Sequence, residues 1–134
     1  MSEPYSIFLD DVRSPDYVEH VPEAQYRPNW VIVRSYKEFV DTITNKGIPA
    51  FISYDHDLCM DAVREFIRAS EQQREFNYYR KPMEKTGLDC AKWLVIYCLQ
   101  NQCRHPEYFI HSSNGIGAKN IKNLIESTYH ITSL

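Results

Sequence analysis

Four short apolar runs alternate with helix-patterned segments, and this alternation constrains the fold more than any other feature of the chain. The runs are "YSIFLDD", "WVIVRS", "IPAFISYDHDL" and "EYFIHSSN", each rich in β-branched or aromatic residues. A helix begins after the second run in "SYKEFVDTITNKG", where Ser35 and Glu38 have capping-box spacing and Gly47 is a stop. "MDAVREFIRASEQQREF" carries Val63, Phe66 and Ile67 at helical spacing. In "TGLDCAKWLVIYCLQNQ", Thr86 and Asp89 have the same reciprocal spacing, and Leu88, Ala91, Leu94, Val95 and Cys98 share a face. "GIGAKNIKNLIESTYH" reads as the last helix, and "ITSL" is too short to assign. Pro15, Pro22 and Pro28 mark the stretch between the first two runs as a loop. Strands separated by helical crossovers pair in parallel, so the expectation is one α/β domain over residues 1–134, its sheet covered on both faces.

Composition narrows the class further. With 43% hydrophobic and 25% charged residues the chain is an ordinary globular one, and no apolar run approaches the roughly 18 residues of a membrane span. "MSEPYSIFLDD" lacks a basic-then-apolar leader pattern, which predicts a cytoplasmic protein with no membrane partner. Cys59, Cys90, Cys98 and Cys103 form no CxxC pair, so reduced thiols are expected ahead of a zinc site. Charge is uneven: residues 1–63 carry −6 and residues 64–134 carry +3. The acidic half suits a cation and the basic half an anion. No basic run interleaved with aromatics points to double-stranded DNA.

In parallel α/β sheets the working groups gather at the carboxyl ends of the strands. Three of the four runs end there in polar clusters: Asp10–Asp11, Asp55–His56–Asp57 and His111–Ser112–Ser113–Asn114. The clusters are therefore expected to meet at one rim. Crowded carboxylates suit a divalent cation, with Asp10, Asp11 and Asp55 as its ligands, Mg²⁺ or Mn²⁺ as the ion, and a salt bridge to Arg13 or Lys85 as the plainer reading. Asp55 and Asp57 point together, and His56 away, if the chain stays extended there. Gly115 and Gly117 admit close backbone approach, and Ser112, Ser113 and Asn114 add donors, so this turn suits a phosphate; an N-cap at Ser113 or Asn114 is the alternative. His56 and His111 are candidates for proton transfer, or else structural hydrogen-bonding residues. Thr86 and Asp89 fit a cap as well as a rim position, and "REFNYYRKPMEK" fits either a lid or a packing segment.

"IFLDDVRSP", "ISYDHDL", "TGLDCAKWL" and "FIHSSNGIGAKNI", in this order, resemble the motif blocks of the cyclic-phosphate processing receiver-like domain family and span residues 7–121. The resemblance implies a three-layer, flavodoxin-like α/β sandwich similar to response-regulator receivers, with a mainly parallel sheet of four to five strands. It implies that Asp10 and Asp11 match the acidic pair that holds Mg²⁺ in receivers and that Asp55 falls at the receiver's phosphorylated aspartate. His56, Asp57, Thr86, Asp89, His111, Ser113 and Asn114 match the family's own motif positions. No Lys–Pro follows the last run, where "HSSN" stands instead.

Together these readings predict a metal-dependent phosphoesterase acting on a cyclic phosphate of a small nucleotide or an RNA end. Asp55, His56 and His111 would be the catalytic groups, and Asp57, Thr86, Ser112, Ser113, Asn114, Gly115 and Gly117 the substrate-binding set. The alternatives are a non-catalytic cyclic-phosphate binding module and a receiver-like regulatory protein. The prediction depends on three sequence-distant strand tips meeting.

Overall fold

The computed structural model describes residues 3–58 and 85–132. The helix expected over 60–76, Cys59 and the lid candidate up to residue 84 lie outside the described residues. Four strands are present among them: β1 (Ser6–Leu9), β2 (Trp30–Val33), β3 (Phe51–Tyr54) and β4 (Glu107–Ile110). All pair in parallel, in the order β2-β1-β3-β4. This is the doubly wound order of flavodoxin-like folds, and its switch point lies between β1 and β3. The two central strands are buried along their whole length, as a parallel sheet covered on both faces requires.

The helices among the described residues are α1 (Tyr36–Lys46), α2 (Gly87–Gln100) and α3 (Gly115–Thr132), and their ends carry the expected chemistry. Ser35 Oγ accepts the Glu38 N–H at 3.1 Å, and Gly47, at φ +93°, ends α1 in a conformation that favours glycine. The Thr86–Asp89 capping box forms, with the Asp89 carboxylate accepting the Thr86 N–H at 2.8 Å. Asn114 caps α3 by accepting the Gly117 N–H at 2.9 Å, and the helix runs on through residues 131–132 of the unassigned tail. Each such side-chain cap contributes about 1 kcal/mol.

The three helices among the described residues lie on one face of the sheet. Phe39 and Ile43 of α1, Leu94 and Cys98 of α2, and Ile121 and Ile125 of α3 join Ile7, Leu9, Ile52 and Tyr54 in one core. The other face is covered by the proline-rich segment between β1 and β2, which contains a single 3₁₀ turn, Pro15–Val18. Val18 and Ala24 of that segment pack on Phe8 and Phe51, with Trp30 and Phe109 at the edge. Among the described residues the third layer is thus an irregular segment held down by apolar contacts, and its Tyr17 ring reaches His111 just after β4.

Cys90 and Cys98 are buried free thiols on the inner face of α2, and burial pushes the Cys98 thiol up to about 12. They behave as small apolar core residues. No helix among the described residues is long and apolar enough to cross a membrane.

Candidate functional site

Strand register brings the three polar tips into one row. Leu9, Tyr54 and Ile110 are paired positions, and the next residues continue the ladder: Asp55 N–H donates to Leu9 C=O and His111 N–H to Tyr54 C=O, both at 2.9 Å. Asp10, Asp55 and His111 are therefore neighbours across β1, β3 and β4. Alternation along each strand turns their side chains to the face that carries Phe8, Ser53 and Phe109. All three are buried, and one ligand atom from each lies within 4.8 Å of the others. The expected convergence is present.

Each member has defined partners. Asp10 Oδ1 accepts the backbone N–H groups of Val12 and Arg13 at 2.9 and 2.8 Å, which curls the chain back after β1. Asp10 Oδ2 lies 3.0 Å from His111 Nε2. On the other side of the ring, His111 Nδ1 is 2.7 Å from Ser53 Oγ. With the Asp10 carboxylate as an obligate acceptor, Nε2–H donates to it, and Nδ1 pairs with the Ser53 hydroxyl. Phe8 stacks beneath the imidazole at a centroid distance of 4.5 Å, and the Tyr17 ring meets it edge-on at 5.9 Å.

The two buried acids diverge electrostatically. Burial pushes Asp10 up, but the hydrogen bonds from His111 and from the Arg13 and Val12 amides outweigh it and hold the carboxyl below its ordinary range. Asp55 is pushed up by burial and by the Asp10 charge, against smaller opposing effects of His111, the His56 amide and Ser112. A cation at this point would relieve the repulsion that raises Asp55. Two buried carboxylates and an imidazole are a donor set that a divalent metal accepts, so Asp10, Asp55 and His111 can hold one.

This row of two aspartates and a histidine, at the switch point of a β2-β1-β3-β4 sheet, is where a modified receiver would carry its chemistry. A model of the cyclic-phosphate processing receiver domain matches residues 5–127. The chain belongs to this family. Comparisons with curated proteins and with solved structures gave no match.

The other expected site residues of this receiver domain are distributed unevenly around the row. Asp11 is half-buried and stands outside the Asp10–Asp55–His111 group. Asp57 does not point with Asp55: β3 ends at Tyr54, the chain bends at His56, and the Asp57 side chain is 61% exposed while Asp55 is buried. His56 Nδ1 instead lies 2.8 Å from Asp57 Oδ1, and Asn114 Nδ2 donates to the same oxygen at 3.3 Å. Gly117 seats the His56 ring, since a Cβ there would lie 2.3 Å from Cγ of the imidazole. Gly87 does the same for the backbone, because its Cβ would lie 1.9 Å from the Asp55 carbonyl oxygen. Thr86 is occupied by its capping box.

Ser112 Oγ accepts the Asn114 N–H at 3.0 Å and reaches Asp55, while Ser113 and Gly115 are exposed beside it at the start of α3. Of the two cations considered as salt-bridge partners, Arg13 Nη1 lies 3.9 Å from Asp10 Oδ2, and Lys85 Nζ sits over the Tyr36 ring. Ser53 went unnoticed in the sequence. Its position two residues before Asp55, on the same strand face, is the signal that could have found it.

Proposed function

We propose that this receiver domain is a metal-dependent phosphoesterase acting on cyclic phosphates of nucleotides or RNA ends. The observation that carries the reading is the buried Asp10–Asp55–His111 row in a chain that matches a cyclic-phosphate processing family. Asp10, Asp55 and His111 would hold a divalent cation, with Mg²⁺ or Mn²⁺ the ions that suit oxygen-rich donors. When bound, such an ion supplies charge neutralisation at the phosphoryl oxygens.

The chain's own groups then divide the remaining work. His111 has both ring nitrogens engaged, toward Ser53 and Asp10, so without a metal its part is to hold Asp10, and it would join the donor set only where the cation takes the place of the Nε2 proton. Proton transfer falls to His56, whose Nδ1–H is directed at the Asp57 carboxylate. That contact fixes the tautomer with Nε2 as the proton acceptor. Water attacks phosphorus, Nε2 takes its proton, and the same proton passes to the ribose oxygen as its P–O bond breaks. Asn114 braces the His56–Asp57 pair, and Ser112, Ser113 and the first turn of α3 at Gly115 offer donors to the phosphate.

The test is a turnover screen of 2′,3′- and 3′,5′-cyclic nucleotides with Mg²⁺, with Mn²⁺ and with chelator. Metal-dependent opening of a cyclic phosphate, lost in His56→Ala and Asp55→Asn, is expected. Binding without product under every condition would reassign the domain to capture rather than catalysis. Occupancy of Asp55 by beryllofluoride, with no affinity for cyclic phosphates, would reassign it to receiver signalling.

A further inference from the structure

Two buried carboxylates repel an approaching phosphate, and a cationic side chain beside the cation they would hold lessens that repulsion further. Two guanidinium groups stand beside the acids. Arg34 spends its Nη1 on the backbone carbonyls of Asp10 and Arg13, the former at 3.2 Å, and so locks the turn after β1. Arg13 is different. Its backbone is fixed at both ends, the N–H by Asp10 Oδ1 and the C=O by Arg34, while its guanidinium makes a long ion pair with Asp10 and no hydrogen bond among the described residues. Nη1 lies 3.9 Å from Asp10 Oδ2, beyond hydrogen-bond distance, and the side chain is 35% exposed.

The guanidinium is nevertheless not loose. Its carbon lies 4.4 Å from the centre of the Tyr17 ring, and Tyr17 in turn meets the His111 ring edge-on. Tyr17 belongs to the 3₁₀ turn Pro15–Val18, anchored by the buried Val18 on Phe8 and Phe51. A planar cation is thus held at the mouth of the acidic row by an aromatic ring that touches the row itself.

We propose that Arg13 is the phosphate clamp of this site and that Tyr17 is the positioning residue that holds it there. The inference rests on the reading of the site as one for cyclic phosphates, and it names the part of the substrate recognised. A cyclic phosphodiester has two non-bridging oxygens that share one negative charge, and they match the paired N–H donors of a guanidinium fork. An Arg13 that merely balanced the Asp10 charge would have no such role.

The clamp is tested with 2′,3′-cyclic AMP as probe against wild type, Arg13→Gln, Arg13→Lys, Tyr17→Leu and Tyr17→Phe, with folding checked by circular dichroism. KM and kcat are read where the probe is turned over, and Kd by calorimetry where it is only bound. Arg13→Gln is expected to raise KM or Kd about tenfold or more, with kcat falling less. Arg13→Lys should recover part of that loss, because it keeps the charge and lacks the fork, and it carries the test if Arg13→Gln does not fold. Tyr17→Phe keeps the ring and should stay within about twofold of wild type, while Tyr17→Leu should lose several-fold. An Arg13→Gln protein with wild-type KM or Kd overturns the clamp alone. Equal losses in Tyr17→Phe and Tyr17→Leu overturn the positioning role of the ring. A wild type that neither binds nor turns over 2′,3′-cyclic AMP, 2′,3′-cyclic UMP or 3′,5′-cyclic AMP overturns the functional reading and the clamp together.

Discussion

β4 carries a buried histidine at each end, His105 just before it and His111 just after it, and both are 7% exposed. They share burial and little else. His105 Nδ1–H donates to the Pro106 carbonyl at 2.7 Å, so Nε2 accepts the Tyr54 hydroxyl, also at 2.7 Å. Both partners are neutral, and burial pushes the ring down to about 4. His111 has one neutral partner, Ser53, and one carboxylate, Asp10. A buried histidine is therefore not in itself a functional marker. What marks the carboxyl end of the sheet is the pair of acids that backs the His111 imidazole.

The ends also differ in how tightly the backbone is packed, and this gives the largest expected effect. An Ala at Gly87 places a methyl 1.9 Å from a backbone oxygen of the site, where no side chain can move aside. Gly87→Ala should cost more than about 3 kcal/mol in urea unfolding, at the upper end for overpacking. At the opposite end Gly47→Ala meets nothing within 4 Å and bears only the strain of φ +93°, about 1 kcal/mol. Equal costs would show that the carboxyl end is no more closely built than the amino end.

Acid titration sharpens the contrast between the histidines. The folded pKa of His105 lies below its ordinary 6.5, so the unfolded chain takes up a proton first as pH falls. Stability from keeping this ring neutral is complete above pH 6.5 and is lost progressively between 6.5 and about 4, approaching about 3 kcal/mol at the limit. Asp10 has a lowered pKa, so its contribution persists above the unfolded value of 3.8 and is lost only below it. Asp55 works in the opposite sense: its raised pKa means the native state is relieved as it takes up a proton. Unfolding free energies from pH 7 to 4 should therefore fall, and His105→Gln should remove most of the slope. A slope that survives this substitution would place the titrating group elsewhere.

Asp10→Asn tests the other histidine. It leaves an oxygen for the Val12 and Arg13 amides and takes the charged acceptor from His111 Nε2–H. The expected cost is about 2 kcal/mol at neutral pH, typical for a hydrogen bond to a charged group. A cost near zero would mean that relief of the Asp10–Asp55 repulsion balances the lost bond.

The sequence made the row legible because period-2 alternation and strand ends are local properties. The apolar runs ending in Asp10, Asp55 and His111 sufficed to place three tips at one rim. Partnerships were less legible, since they depend on what the fold delivers opposite each residue. Gly117 looked like a place for a ligand, but the space left by its missing Cβ belongs to His56, which is 61 residues earlier in the chain. Asp57 was expected beside Asp55, yet extension stops at Tyr54 and the bend at His56 sends the two carboxylates apart. Ser53 and Phe8 look like any strand interior residues until His111 arrives from β4 to meet both.

The smallest stability effect is the most diagnostic one. Asp55 is buried beside a second carboxylate that opposes its ionisation, so Asp55→Asn removes a repulsion and should change metal-free stability by less than about 1 kcal/mol. The same substitution removes one of three donors for a cation. Wild type should therefore gain stability when Mn²⁺ or Mg²⁺ is added, by about 2.7 kcal/mol at a hundredfold excess over Kd, and Asp55→Asn should gain little or nothing. His105→Gln, at the far end of β4, should lose its pH slope and keep the full metal response. Thermal melts of the three proteins with and without metal separate the two ends of the sheet in one experiment. A wild type indifferent to both ions would leave the buried acids as a purely structural row.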